Sequence, residues 1–240
     1  MALAIATNNA ALDAAASASS VNREMETSMA RLSSGKRINS ASDDAAGVAI
    51  SSRLAAEIRG TDQAIRNSLD SQALIDTAEG AHKEIENILQ RMREVAVQSA
   101  NDTNNTQDRA NLQAEIDAMI NEIDRIAGTT AWAGAQLMEA ATSTFSFQVG
   151  SATGTQNQIS VTINSMNATS LGVMKTAMDI ETNMTSRLAS IQEVDDAIKT
   201  VNDQRSELGA ISNRLNHTVN NLTNISSNLS AAKGGIEDAD

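Results

Sequence analysis

Residues 191–236 read IQEVDDAIKTVNDQRSELGAISNRLNHTVNNLTNISSNLSAAKGGI, and their spacing decides the fold. Val194, Val201, Leu208, Leu215, Leu222, Leu229 and Ile236 recur every seven residues without a skip. A second apolar set, Ile191, Ala197, Ile198, Ile211, Val219 and Ile225, stands three or four residues from the first. An a/d pattern held for about six heptads predicts one long helix with a single apolar seam. At about 1.5 Å per residue such a helix is roughly 70 Å long, and it cannot cover its own seam. Another part of this chain, or another copy, must lie along it.

The opposite face of that helix is uncharged between Arg214 and Lys233, where His217, Thr218, Asn220, Asn221, Thr223, Asn224, Ser226, Ser227, Asn228 and Ser230 stand. Coiled coils in water usually carry Glu and Lys there. Amides and hydroxyls leave water at far lower cost than charges when they find hydrogen-bond partners. The face therefore suits either contact with neighbours in an assembly or plain solvation, and periodicity alone does not separate the two.

Composition narrows the class. The chain of 240 residues has a net charge of −12, no Pro, no Cys, and only Trp132, Phe145 and Phe147 as aromatics. Its core must be aliphatic, and no proline interrupts long helices. The negative charge argues against binding nucleic acid or anionic membranes, which takes clustered Lys and Arg. No stretch approaches the roughly 20 apolar residues of a membrane span. Residues 1–22 hold one charge, Asp13, and no continuous apolar run, so no general secretory signal is read there.

In chain order, Leu3, Ile5, Leu12, Val21, Met25, Met29 and Leu32 make a weak amphipathic helix, expected to order only beside a partner. Ser33-Ser34-Gly35 breaks it, and Ser42-Asp43-Asp44 reads as the cap and acidic first turn of the next helix. That helix, about 43–100, carries Ile50, Leu54, Ile58, Ile65, Leu69, Ile75, Ile85, Leu89 and Met92 at helical spacing. A third, about 105–127 with Thr106 as its cap, carries Leu112, Ile116, Ile120 and Ile123 and stops at Gly128. Alternation at Phe145, Phe147, Val149 and at Ile159, Val161, Ile163 predicts a β-hairpin over about 143–164, with Trp132 and Leu137 beneath it. The closing helix spans about 180–236. Three apolar stripes with one need predict a mainly α fold: an elongated antiparallel bundle of long helices with a small β-hairpin region.

Candidates for chemistry are poor. His82 has Glu79 and Glu86 within a turn, too few ligands for a metal, and His217 stands apart. Asp195-Asp196 reads as an exposed face, and Gly150-Ser-Ala-Thr-Gly154 is a hairpin turn without the Lys-Ser or Lys-Thr of a phosphate loop. No catalytic constellation, cofactor motif or metal site is read.

The stretch from Arg31 through Leu32, Ser33, Ser34, Gly35, Lys36, Arg37, Ile38, Asn39, Ser40, Ala41, Ser42, Asp43 and Asp44 to Ile50 is similar to the signature of bacterial flagellins. So are Leu89 to Asn101 (LQRMREVAVQSAN) and Leu208 to Leu215 (LGAISNRL). The resemblance covers almost the whole chain in order. It implies a structural subunit of the bacterial flagellar filament, secreted unfolded through the flagellar type III apparatus and assembling with other flagellin subunits outside the cell. Cap and junction proteins of the flagellum are implied partners. It also divides the chain into residues 1–42, the N-terminal helix of an inner coiled coil plus a spoke, and residues 43–240, the core domain.

Flagellins usually carry a large variable insertion between the hairpin and the last helix; here only about Asn164 to Met184 fills that place, so the outer domains are expected to be absent. The family also continues for several tens of residues past the position of Asp240. As it stands, the sequence leaves residues 1–32 without their C-terminal partner, as a truncated chain would, and is expected to fold its core but polymerise poorly. Vertebrate toll-like receptors bind the convex core surface of flagellins. By resemblance Gln90, Arg91, Val95, Gln98 and Glu115 fall on that surface, with Val95 where detected families tend to have Leu. The bland reading of these residues is subunit contact. A hook–filament junction protein, similar at its ends, is the alternative, and an enzyme is a distant third.

Overall fold

The computed structural model describes residues 8–139 and 142–239. Helix α1 spans Asn9–Ser34. The Asn8 side chain accepts from the Ala11 amide at 3.2 Å to start it. Gly35, at φ +69°, ends it by donating its N–H to the Arg31 carbonyl at 2.8 Å. That left-handed backbone suits a residue without Cβ. No residue of α1 is buried, and Leu12, Val21, Met25, Met29 and Leu32 all face solvent. Leu3 and Ile5 lie outside the described residues.

Helix α2 spans Ala45–Ser99 and α3 spans Thr106–Thr129. The caps sit two residues from the expected position in α2 and one residue from it in α3. Asp44, rather than Ser42 or Asp43, caps α2 by accepting from the Gly47 amide at 2.9 Å, so no acid lies in the first turn. Asn105, rather than Thr106, caps α3 through a reciprocal pair with Asp108, at 2.9 and 3.0 Å. Two short antiparallel pairs follow: β1 (Ala131–Trp132) with β2 (Ala135–Gln136), and β3 (Ser143–Gln148) with β4 (Gln158–Ile163). Helix α4, Met184–Glu237, starts four residues after the expected Ile180. Asp179 already holds the amides of Glu181 and Thr182 in a turn, and Asn183 supplies the cap to Ser186 at 2.9 Å.

Contacts divide the chain into two units: the described parts of Met1–Asp62 with Thr223–Asp240, and Gln63–Leu222. The sequence reading places its boundary at residue 42 instead. In the unit Gln63–Leu222, α2 and α4 run antiparallel. Arg93 reaches Asp195 at 2.6 Å, Arg205 reaches Glu79 at 2.9 Å and also pairs with Glu86, and Gln72 reaches Asn216 at 2.8 Å. α3 doubles back on α2 through Arg91–Glu115 at 2.8 Å and Arg109 to the Ser99 carbonyl at 3.3 Å. The core of this unit joins Leu74, Ile85, Leu89 and Met92 of α2, Ile116 and Ile123 of α3, and Val194 to Leu215 of α4. Ile159, Val161 and Ile163 face it from β4.

Two helix amides fix the hairpin. Gln204 of α4, nearly fully buried, donates to the Thr162 carbonyl at 3.0 Å and accepts from the Asn164 side chain at 2.6 Å. Asn67 of α2 donates to the Gln148 carbonyl at 2.9 Å. A two-stranded hairpin is marginal alone. Here the inner face of β4 is buried, Phe145 and Phe147 on β3 are half-buried against the same core, and both strands are tied to helices.

Candidate assembly surfaces

The seam of α4 is buried in graded fashion. Val194, Val201, Leu208 and Leu215 are fully buried, Leu222 is nearly so, and Leu229 and Ile236 are half-buried. The first five therefore act as core within the chain, each contributing about 1.5–3 kcal/mol of burial. The last two retain apolar surface.

The signature stretch forms a clasp within the unit that holds both α1 and the end of α4. Arg37 N donates to the Glu237 carbonyl at 2.8 Å, and Ala239 N donates to the Gly35 carbonyl at 3.0 Å. The Arg37 guanidinium reaches the Ile236 carbonyl at 2.6 Å, so a cation meets the carbonyl end of α4, where helix polarity favours it. The Glu237 carboxylate is the hub, accepting from Lys36, from the Ser51 hydroxyl at 2.8 Å and from Lys233 at 3.3 Å. Lys36 first, then Ser51, hold that carboxyl down at about 2. Asp43 organises the turn that follows, accepting from the Ser40 amide at 2.9 Å and the Asn39 amide at 3.1 Å, which lowers its pKa. Ile38 is buried and sits on Gly47: a Cβ at position 47 would lie 2.5 Å from both Ile38 Cδ1 and Asp44 Oδ2. Leu32, by contrast, is exposed, and Arg31 and Ser33 lie on the open helix.

Sequence reasoning did not find Glu237, Lys233 and Ser51, because the heptad pattern carries no information about a contact two hundred residues away. For Gln204 the sequence offers no sign beyond a glutamine one helical turn before Leu208.

The residues expected on a receptor surface divide. Arg91 is exposed and bonded to Glu115 and to Glu94 at 2.9 Å, Gln90 donates to Glu86 at 3.3 Å, and Gln98 is exposed. Val95 is not on that surface: it is fully buried with Met92, Ala96 and Ser99, which share its face of α2. The exposed apolar residue nearby is Val97. His217 is exposed. His82 is fully buried with both ring nitrogens unpaired, and burial first, then Arg205, depress its pKa to about 4 against the pull of Glu79. Among the described residues no group of acidic, His or Cys side chains could hold a metal ion, and no helix is long and apolar enough to cross a membrane.

Comparison with known proteins places this arrangement. Residues 5–144 match the bacterial flagellin N-terminal helical region, and residues 191–240 match the bacterial flagellin C-terminal helical region. Flagellin of Halalkalibacterium halodurans is 46% identical over 217 residues, covering 90% of this chain and 78% of the relative. Flagellin of Bacillus subtilis is 40% identical over 266 residues, covering 97% and 86%. The crystal structure of Bacillus cereus flagellin is 30% identical, with a TM-score of 0.55 over 70% of this chain and 94% of that one. A flagellar hook-associated protein from Vibrio parahaemolyticus shares the fold, with a TM-score of 0.70 at 17% identity, covering 82% of this chain and all of that one. Matched in both terminal regions and along most of its length, the chain belongs to the bacterial flagellins, the structural proteins of the flagellar filament.

Proposed function

We propose that the chain builds the filament by burying the apolar face of α1 against other copies, with the 35–44 clasp holding α1 against the end of α4. One observation carries this reading: α1 is a capped helix of 26 residues with no buried residue, while five large apolar side chains along it face solvent. An apolar stripe left open in this way marks an interaction surface. Leu229 and Ile236, half-buried in the same unit, keep some apolar surface of their own. The division into residues 1–42 and 43–240 describes this assembly role rather than the chain's internal contacts.

The remaining partners follow from family membership. The subunit leaves the cell unfolded through the flagellar export apparatus and is placed in the extracellular filament, meeting the cap and the junction proteins at its ends. The outward set Gln90, Arg91, Gln98 and Glu115 is open to a toll-like receptor, with Val97 rather than Val95 as its apolar element. The fold shared with a hook-associated protein speaks for common architecture alone, and both flagellin regions favour the filament.

Replacing Met25 and Met29 together by Asp tests the proposal. Cells making the variant in place of the native protein should lose their filaments while the purified variant keeps the helical circular dichroism of the core. Filaments of normal length on those cells would overturn it.

A further inference from the structure

The chain has no Cys, so its methionine thioethers are the side chains a two-electron oxidant attacks most readily. Burial sorts them. Met92, Met138, Met166 and Met178 are fully buried, whereas Met25, Met29, Met174 and Met184 are open to solvent. Met25 and Met29 are the most exposed of these, at 57% and 63% against 40% and 45% for the other two. Both belong to α1, where no residue is buried. Val21, Met25, Met29 and Leu32 are spaced by four, four and three residues, which puts them on one face of that helix. Half of the large side chains on this face are therefore thioethers.

We propose that Met25 and Met29 form an oxidation site that decides whether a subunit can join a filament. The oxidant is a hypohalous acid such as hypochlorous acid. The thioether sulfur gives up two electrons and gains the oxygen as S=O, the O–Cl bond breaks, and chloride and a proton leave. A flexible apolar side chain becomes a polar one. In the free subunit the fold survives, because α1 buries nothing and both sulfoxides stay in water. Burial of the face against another copy takes the S=O groups out of water, and each should raise the subunit concentration needed for growth by about tenfold. A thiol-dependent sulfoxide reductase reverses the change, two thiols leaving as a disulfide and the oxygen as water. The inference rests on the filament-subunit reading and adds a chemical condition to it: free subunits are stopped, while assembled ones have the pair enclosed.

The test compares filaments sheared from cells making the native protein with the same filaments depolymerised, both treated with limiting hypochlorous acid. Peptide mass spectrometry should find sulfoxide at Met25 and Met29 of the free subunit several-fold ahead of the four buried methionines, and several-fold ahead of the same two residues in intact filaments. Treated subunits should fail to lengthen filament fragments, with the loss following sulfoxide at Met25 and Met29 rather than at Met174 and Met184 in a dose series. Methionine sulfoxide reductase with dithiothreitol should restore growth. Subunits carrying Met25→Leu and Met29→Leu keep the face apolar and should lengthen fragments after the same treatment. Native subunits that carry both sulfoxides and still grow at the untreated rate overturn the proposal and leave the filament reading standing. So does a loss of growth that follows Met174 and Met184, or one that the reductase does not reverse. Met25 and Met29 that react as fast in intact filaments as in free subunits overturn both.

Discussion

His82 provides the most quantitative test of the core. Its imidazole is fully buried on α2, both ring nitrogens lack hydrogen-bond partners, and α4 faces it with Arg205, which is paired to Glu79 and Glu86. Burial and Arg205 lower its pKa from the ordinary 6.5 to about 4. A histidine with a depressed folded-state pKa must be neutral in the core, while the unfolded chain takes up the proton as the pH falls through 6.5. Stability is therefore undiminished above 6.5, falls as the pH drops from 6.5 to 4, and levels off below 4. Each pH unit in that window is worth about 1.4 kcal/mol, so the whole passage removes about 3 kcal/mol. His82→Leu abolishes this dependence and also removes two orphaned polar atoms, which stabilises the core at pH 7.5 by about 1–3 kcal/mol. Guanidinium unfolding followed by helix circular dichroism at pH 7.5, 5.5 and 4.5 measures both effects. Carboxylates titrate alike in the two proteins and cancel in the difference. The gap between variant and native protein should widen by about 3 kcal/mol towards pH 4. Parallel pH profiles would refute the reasoning.

Leu208→Ala should destabilise the chain by about 2–5 kcal/mol and Leu229→Ala by about 1 kcal/mol, since the first is fully buried and the second half-exposed; denaturation midpoints decide. Gly47→Ala should displace Asp44 from its cap or Ile38 from its seat, and trypsin should then cut at Lys36 and Arg37 faster than in the native protein. Glu237→Gln should speed hydrogen exchange at the Arg37 and Ile38 amides, both bonded to the Glu237 carbonyl. In the native protein the depressed carboxyl contributes fully above pH 4.5, and its contribution is lost as the pH falls through about 2. Protection of those two amides should follow that course.

Periodicity made the helices and hairpin of this protein legible, because each depends on local spacing. The seam from Val194 to Leu215 is core for the reason its heptads implied: a stripe that long must be covered, and α2 covers it. Caps were harder to place. Asp43 and Asp44 have the same chemistry, and only the fold shows that one holds the connector while the other starts α2. Family position points Val95 outward, whereas its spacing from Met92 and Ser99 puts it on the buried face of α2. The clasp at Glu237 and the Gln204 bridge to β4 both join residues distant in sequence, and no one-dimensional pattern carries them. The open apolar face of α1 could be read directly, because sparse leucines and methionines among alanine and serine cannot bury one another.

Electron cryo-microscopy of filaments sheared from cells that make this protein would test the central claim most directly. The account predicts a helical tube in which Leu12, Val21, Met25, Met29 and Leu32 are enclosed by helices of neighbouring copies. A tube whose density leaves that face of Asn9–Ser34 in solvent, or cells whose filaments lack this chain, would contradict it.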